Sequence, residues 1–122
     1  MLSLRLFFLL GALVCSAILA YANAIAIAEY LYWKYVWFDI LMHFLGGFVL
    51  GLFAVGLLDK FRPVLFFGFV TALCIGWEVF EYYFGLPREA NYAFDTALDL
   101  LMDALGALIA YIIARLTIWR LP

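Results

Sequence analysis

Charge is scarce in this sequence, and with it any surface that a water-soluble domain could present. Only 13% of the 122 residues are charged while 70% are hydrophobic, too little polar material to cover a soluble core of that size. Basic patches are absent and the formal net charge is -2, which excludes nucleic acid as a partner, because nucleic-acid-binding proteins gather basic residues on one face. Cysteine is limited to Cys15 and Cys74, each deep in an apolar run, where a thiol acts as a small buried hydrophobe and not as a disulfide partner or metal thiolate. Internal repeats and low-complexity segments are lacking as well.

What remains is enough apolar chain for four membrane crossings and little else. A spanning helix needs roughly 20 predominantly apolar residues, so residues 1–122 predict a single all-α domain, a polytopic four-transmembrane-helix bundle with short loops and membrane lipids as its solvent. The first run extends from about Leu4 to Ala28, with no charge between Arg5 and Glu29. Arg5, the stretch Leu6 to Ala20 and Ala20-Tyr21-Ala22 have the parts of a secretory signal; we read the run as an uncleaved first helix. Tyr30, Tyr32, Trp33, Tyr35 and Trp37 then form an interfacial aromatic belt. The second run covers about Val36 to Leu58 and contains Asp39 and His43. Pro63, a favourable first helical residue, opens a third run to Phe84 with Glu78 and Glu81 near its end, stopped by Gly85, Leu86 and Pro87. The fourth covers about Phe94 to Leu116, with Asp95, Asp99 and Asp103 in its opening turns.

Four crossings put both termini on one side. That side carries Arg5, Lys60, Arg62, Arg115 and Arg120, and the other only Lys34 and Arg88. The positive-inside rule therefore predicts a multi-pass protein of the bacterial inner membrane with cytoplasmic termini, and the carboxylates fall at the outer ends of the second, third and fourth helices.

These acids are not simply loop residues. The uncharged stretches Phe44 to Leu58, Pro63 to Trp77 and Ala104 to Ala114 each fall short of the roughly 20 residues a crossing requires. Every one of these helices must draw its polar turns against the bilayer, which at 1.5 Å per residue places them roughly 5 to 15 Å below the outer boundary. Asp39 and His43 are i,i+4, Glu78 and Glu81 are i,i+3, and Asp95, Asp99 and Asp103 repeat every fourth residue, so each set shares a helical face. Small residues continue the stripes: Gly46, Gly47 and Gly51; Gly106 and Ala110; Gly68, Ala72 and Gly76. Such residues let helices approach closely, so the polar faces are expected to be the packed ones.

Six carboxylates near one depth, with His43, Lys34 and Arg88 as the only local counterions, cannot all stay ionised in so apolar a setting. Either some are protonated or cations occupy the site. Carboxylate and imidazole ligands suit a divalent Zn, Mn, Fe or Mg ion, and paired ligands on several helices resemble the construction of di-metal carboxylate bundles. The expected metal ligands are Asp39, His43, Glu78, Glu81, Asp99 and Asp103. Asp95 is either a supporting residue or the N-cap of the last helix, and Lys34 and Arg88 are candidates for holding an anion. The plainer alternative is that the acids share protons and water and merely hold the helices together.

The segments Phe38-Asp39-Ile40-Leu41-Met42-His43-Phe44-Leu45-Gly46-Gly47, Trp77-Glu78-Val79-Phe80-Glu81-Tyr82, Phe94-Asp95-Thr96-Ala97-Leu98-Asp99 and Gly106-Ala107 resemble the YjdF-like family of small bacterial inner-membrane proteins. Asp39 four residues before His43, and the spacing of Asp99, Asp103 and Gly106, are also distantly similar to the VanZ-like family, which carries asparagine where Asp103 stands. The resemblance covers the second to fourth helices, finds nothing specific in the first, and implies a cell-envelope setting without naming a reaction.

Three functions follow from these residues. The first is a metal-dependent hydrolase or transferase acting on a lipid or lipid-linked phosphate, since metals held by carboxylates activate water and neutralise phosphate charge, with one carboxylate serving instead as general base. No phosphatase signature names a substrate. The second is a divalent cation or proton transporter; below the cluster the polar groups reduce to Thr71, Cys74 and glycines, so a conduction path would require a homo-oligomer. The third is a structural membrane subunit with no catalytic role.

Overall fold

Lipid offers a backbone no hydrogen bonds, so a chain this apolar must satisfy its peptide groups within helices. The computed structural model describes residues 2–84 and 91–120. Five helices are present among them: α1 (Leu2–Ala28), α2 (Leu31–Lys34), α3 (Val36–Leu57), α4 (Pro63–Phe84) and α5 (Tyr92–Leu116). Four of these, all except α2, are long and apolar enough to cross a membrane, and the described residues contain no strand. The protein is an all-α polytopic bundle.

The aromatic segment after α1 is more ordered than a belt requires. Tyr30 adopts a left-handed conformation (φ 58°, ψ 34°) and Tyr35 an extended one, and these two residues bracket the single turn of α2. A bulky residue at positive φ is uncommon; here it turns the chain back towards the bundle. The Tyr32 hydroxyl donates to Asn23 Oδ1 of α1 at 2.6 Å, and its ring meets Phe38 of α3 edge-on with centroids 5.1 Å apart. α2 is thereby pinned to α1 and α3.

α3 is the central element and packs against α1, α4 and α5. Its contact with α5 is the closest in the molecule. A Cβ on Gly47 would overlap the backbone of Asp103, and a Cβ on Gly106 would overlap the carbonyl of Phe44 and lie 2.6 Å from the Phe48 nitrogen. Farther along, a Cβ on Gly51 would lie 2.6 Å from that of Ala110. These glycines bring two backbones into contact, as small residues do where membrane helices associate.

The third small-residue stripe behaves otherwise. α4 buries Phe66, Val70, Cys74 and Glu78, spaced every four residues, while Gly68, Ala72 and Gly76 face outwards and nothing lies within 4 Å of a Cβ built on either glycine. The expectation of a packed Gly68-Ala72-Gly76 face is corrected: these residues stand two positions from the Glu78 row, roughly 200° around the helix. Gly46 is likewise open; it borders a cavity described below.

The end of the bundle remote from the acids is closed. Arg5 donates from Nε to the Gly56 carbonyl (3.2 Å) and from Nη2 to that of Leu57 (3.1 Å), placing a cation on the free carbonyls at the C-terminus of α3. Arg115 donates to the Trp119 carbonyl at 2.6 Å and lies over the Phe61 ring at 4.4 Å. Phe66, Tyr111 and Trp119 join Phe61 in one aromatic cluster. Below the acids the bundle is therefore filled by rings and by the buried Val55, Ala107, Ala110 and Ala114.

Candidate functional site

His43, near the N-terminal end of α3, points at α5 and is surrounded by carboxylates. Its Nδ1 lies 3.2 Å from Asp103 Oδ1. Its Nε2 lies 3.5 Å from Asp99 Oδ2 and 3.7 Å from Asp39 Oδ1. The glycine contact explains the placement: Gly47 and Gly106 stand one helical turn beyond His43 and Asp103, so the two side chains project into the space just above the point where the backbones touch.

Glu78 enters from α4 on the same row as Cys74, Val70 and Phe66. It is buried, and neither of its carboxylate oxygens has a hydrogen-bond partner; Asp99 Oδ1 and Thr96 Oγ1 share that condition. Three overlapping groups of side chains each bring one donor atom per residue within 4.8 Å of the others: Asp39, His43 and Asp99; His43, Glu78 and Asp103; Glu78, Glu81 and Asp99. All six expected ligands thus converge.

A cavity of about 680 Å³ opens beside them. Asp39, His43, Glu81, Asp95, Asp99 and Asp103 supply its polar part, and Leu19, Val49, Leu50 and Leu73 its apolar wall. Tyr32, Trp33 and Trp77 contribute aromatic side chains to the lining. The Tyr32 hydroxyl is pushed up to about 12 by its burial and by the nearby Asp39 and Glu81 carboxylates, so at neutral pH it is a hydrogen-bond donor. Among the described residues no Cα of α1 lies within 8 Å of one in α4, although both helices line the cavity.

Several expectations need correction. Asp95 is not the N-cap of α5: the helix begins at Tyr92, two residues before the expected start, and the Asn91 side chain accepts from the Phe94 N–H at 3.2 Å. Asp95 instead lies in the first turn and borders the cavity. Lys34 is exposed on α2 and is not among the residues that line the cavity. Arg88, and the Gly85-Leu86-Pro87 stop signal, lie outside the described residues. α1 also does more than span: Ser16, Leu19, Ala20, Asn23 and Ile27 form one wall of the cavity. Their i, i+3, i+4, i+7 and i+11 spacing was the available signal, with Ser16 and Asn23 as polar marks on an otherwise apolar stripe.

No curated protein and no solved structure matches the chain. A family model does, over residues 1–120 and so through α1 as well as the motif-bearing helices, and the YjdF-like resemblance of those motifs is consistent with it. The chain belongs to the family described as "Predicted membrane protein (DUF2238)".

Proposed function

We propose that this protein is a metal-dependent hydrolase or transferase acting on a lipid-linked phosphate, with Asp39, His43, Glu78, Glu81, Asp99 and Asp103 forming a site for divalent Zn, Mn, Fe or Mg. The observation that carries this reading is the geometry at His43 Nε2. Its separations of 3.5 and 3.7 Å from Asp99 and Asp39 exceed those of a good N–H···O hydrogen bond. They approach the roughly 3.4 Å edge of a tetrahedron whose centre is a metal with bonds of about 2.1 Å. Asp103 supports the same reading from the other side. A proton on Nδ1, held by Asp103 at 3.2 Å, leaves the Nε2 lone pair free and fixes the ring, as carboxylates commonly do for metal-binding histidines.

The cavity supports the substrate class. Its polar part suits a phosphate bound through a metal, and its apolar wall and the gap between α1 and α4 suit a hydrocarbon chain arriving sideways from the bilayer. A bound metal would polarise a phosphate oxygen and lower the pKa of a coordinated water. The residues around it bind and orient, and Glu81 or Asp95 at the cavity edge is within the group from which a general base would come. The proposal includes the outer half of the inner membrane as the site's location, cytoplasmic termini, and the envelope setting that the distant VanZ-like likeness implies.

The transporter alternative fits less well, because Phe61, Phe66, Tyr111 and Trp119 fill the bundle beneath the acids. The experiment that tests the enzymatic reading is release of phosphate from lipid-linked phosphates by the protein in nanodiscs. Turnover abolished by chelation and by Asp39→Asn is expected. If metal-loaded native protein leaves every such lipid untouched, the enzymatic reading fails.

A further inference from the structure

We infer that the cluster holds two divalent cations, bridged by Asp99; this rests on the metal reading above and extends it. His43, Glu78 and Asp99 each belong to two of the three groups of donors; of these, Asp99 is the one that joins Asp39 and His43 on one side to Glu78 and Glu81 on the other. Its two oxygens are differently engaged. Oδ2 faces His43 Nε2 at 3.5 Å, whereas Oδ1 is buried with no hydrogen-bond partner.

The second group shows the same lack. Glu78 is only 6% exposed and Asp99 only 2%, and neither oxygen of Glu78 has a partner. A buried polar atom without a partner is destabilising, and more so when it is charged. Three such oxygens, on adjacent carboxylates of α4 and α5 with the Thr96 hydroxyl beside Glu78, concentrate negative charge that a cation would satisfy. The Asp39-His43-Asp99 position cannot be the place of that cation, because its donors come from α3 and α5 and include neither Glu78 nor Glu81. The His43-Glu78-Asp103 group, which does take in Glu78, contains neither Asp99 nor Glu81.

Charge points the same way. Asp39, Glu78, Glu81, Asp99 and Asp103 are five carboxylates around one imidazole. One divalent ion would leave most of that charge uncompensated in an apolar surrounding, while two nearly balance it. The topology suits a shared ligand: α5 packs against both α3 and α4, so Asp99 stands between the two outer donor sets. Paired ions in metalloenzymes sit about 3.5–4 Å apart, a separation at which both can contact oxygens of one phosphate group.

The test uses the intact protein in nanodiscs, stripped with a chelator and reloaded with Mn(II), with manganese measured per chain and its electron paramagnetic resonance spectrum recorded. Two manganese per chain and an exchange-coupled spectrum are expected, with Glu78→Gln retaining one ion and an uncoupled spectrum. The native spectrum decides the matter even if that variant fails to fold. One uncoupled manganese per native chain would overturn the pair and leave the single-metal reading standing; no manganese would overturn both.

Discussion

His43 and Asp103 approach to 3.2 Å at the level where the backbones of α3 and α5 come into contact. The polar pair and the glycine crossing are one construction. Gly47 meets the backbone of Asp103 itself, so the position of that carboxylate is set by a missing side chain on the opposite helix.

The first prediction follows from that crossing. Gly106→Ala forces a methyl group into the Phe44 carbonyl, which is backbone and cannot rotate aside. It should destabilise the protein by about 1–3 kcal/mol, the usual range for overpacking. Gly68→Ala, with nothing within 4 Å, should change stability by less than about 0.5 kcal/mol. Unfolding in mixed micelles measures both; equal effects would contradict the packing described.

Asp103→Asn separates support from ligation. The asparagine can still meet His43 Nδ1 but no longer supplies a charge, and loss of such a supporting carboxylate lowers metal affinity roughly 10- to 100-fold. Metal titration of the stripped protein should therefore show weaker binding with its stoichiometry retained. Unchanged affinity would remove Asp103 from the site.

Closing the gap between α1 and α4 should act on substrate alone. Ala20→Trp fills the cavity from α1, a helix that supplies none of the donor atoms. Metal content should be that of the native protein, and turnover of a long-chain lipid phosphate should fall at least tenfold. A variant of full activity would show that the chain enters elsewhere.

Tyr32 gives a pH dependence outside the membrane-spanning helices. Its hydroxyl ionises near pH 12 in the folded protein against 10.0 ordinarily, so its contribution is fully present below about pH 10 and is lost as pH rises towards 12. Tyr32→Phe deletes the bond to Asn23 and should cost about 0.5–1.5 kcal/mol at pH 8. The difference from native protein should shrink by pH 11.5. A difference that stays constant across that range would place the stabilisation in the ring's packing and not in its hydroxyl.

Much of this architecture was readable in the residues. Run length alone divides the chain into four spans, and the i,i+4 spacing of Asp39 with His43 and of Asp99 with Asp103 is enough to assign shared faces. The shortfall of each uncharged run draws the acids inwards, which is why they could be expected to meet. Periodicity does not say which helix faces which: the outward turn of Gly68, Ala72 and Gly76 depends on their angular offset from Glu78, and a small-residue spacing reads the same either way. Nor does it reveal caps in competition, where Asn91 occupies the position for which Asp95 was a candidate. The wall contributed by α1 was hidden because its stripe is mostly apolar, and in a spanning helix apolar residues mark lipid and cavity alike. α2 follows from a tyrosine at positive φ, a conformation the residue type does not announce.

The most direct measurement is elemental analysis of the detergent-purified protein, comparing the native sequence with Asp39→Asn and Glu81→Gln. The account predicts stoichiometric Zn, Mn, Fe or Mg in the native protein and a loss of metal in both variants, with each variant still folded. Native protein that carries no metal, and takes none up when divalent ions are supplied, would contradict it and would leave the carboxylates sharing protons as the bond between the helices.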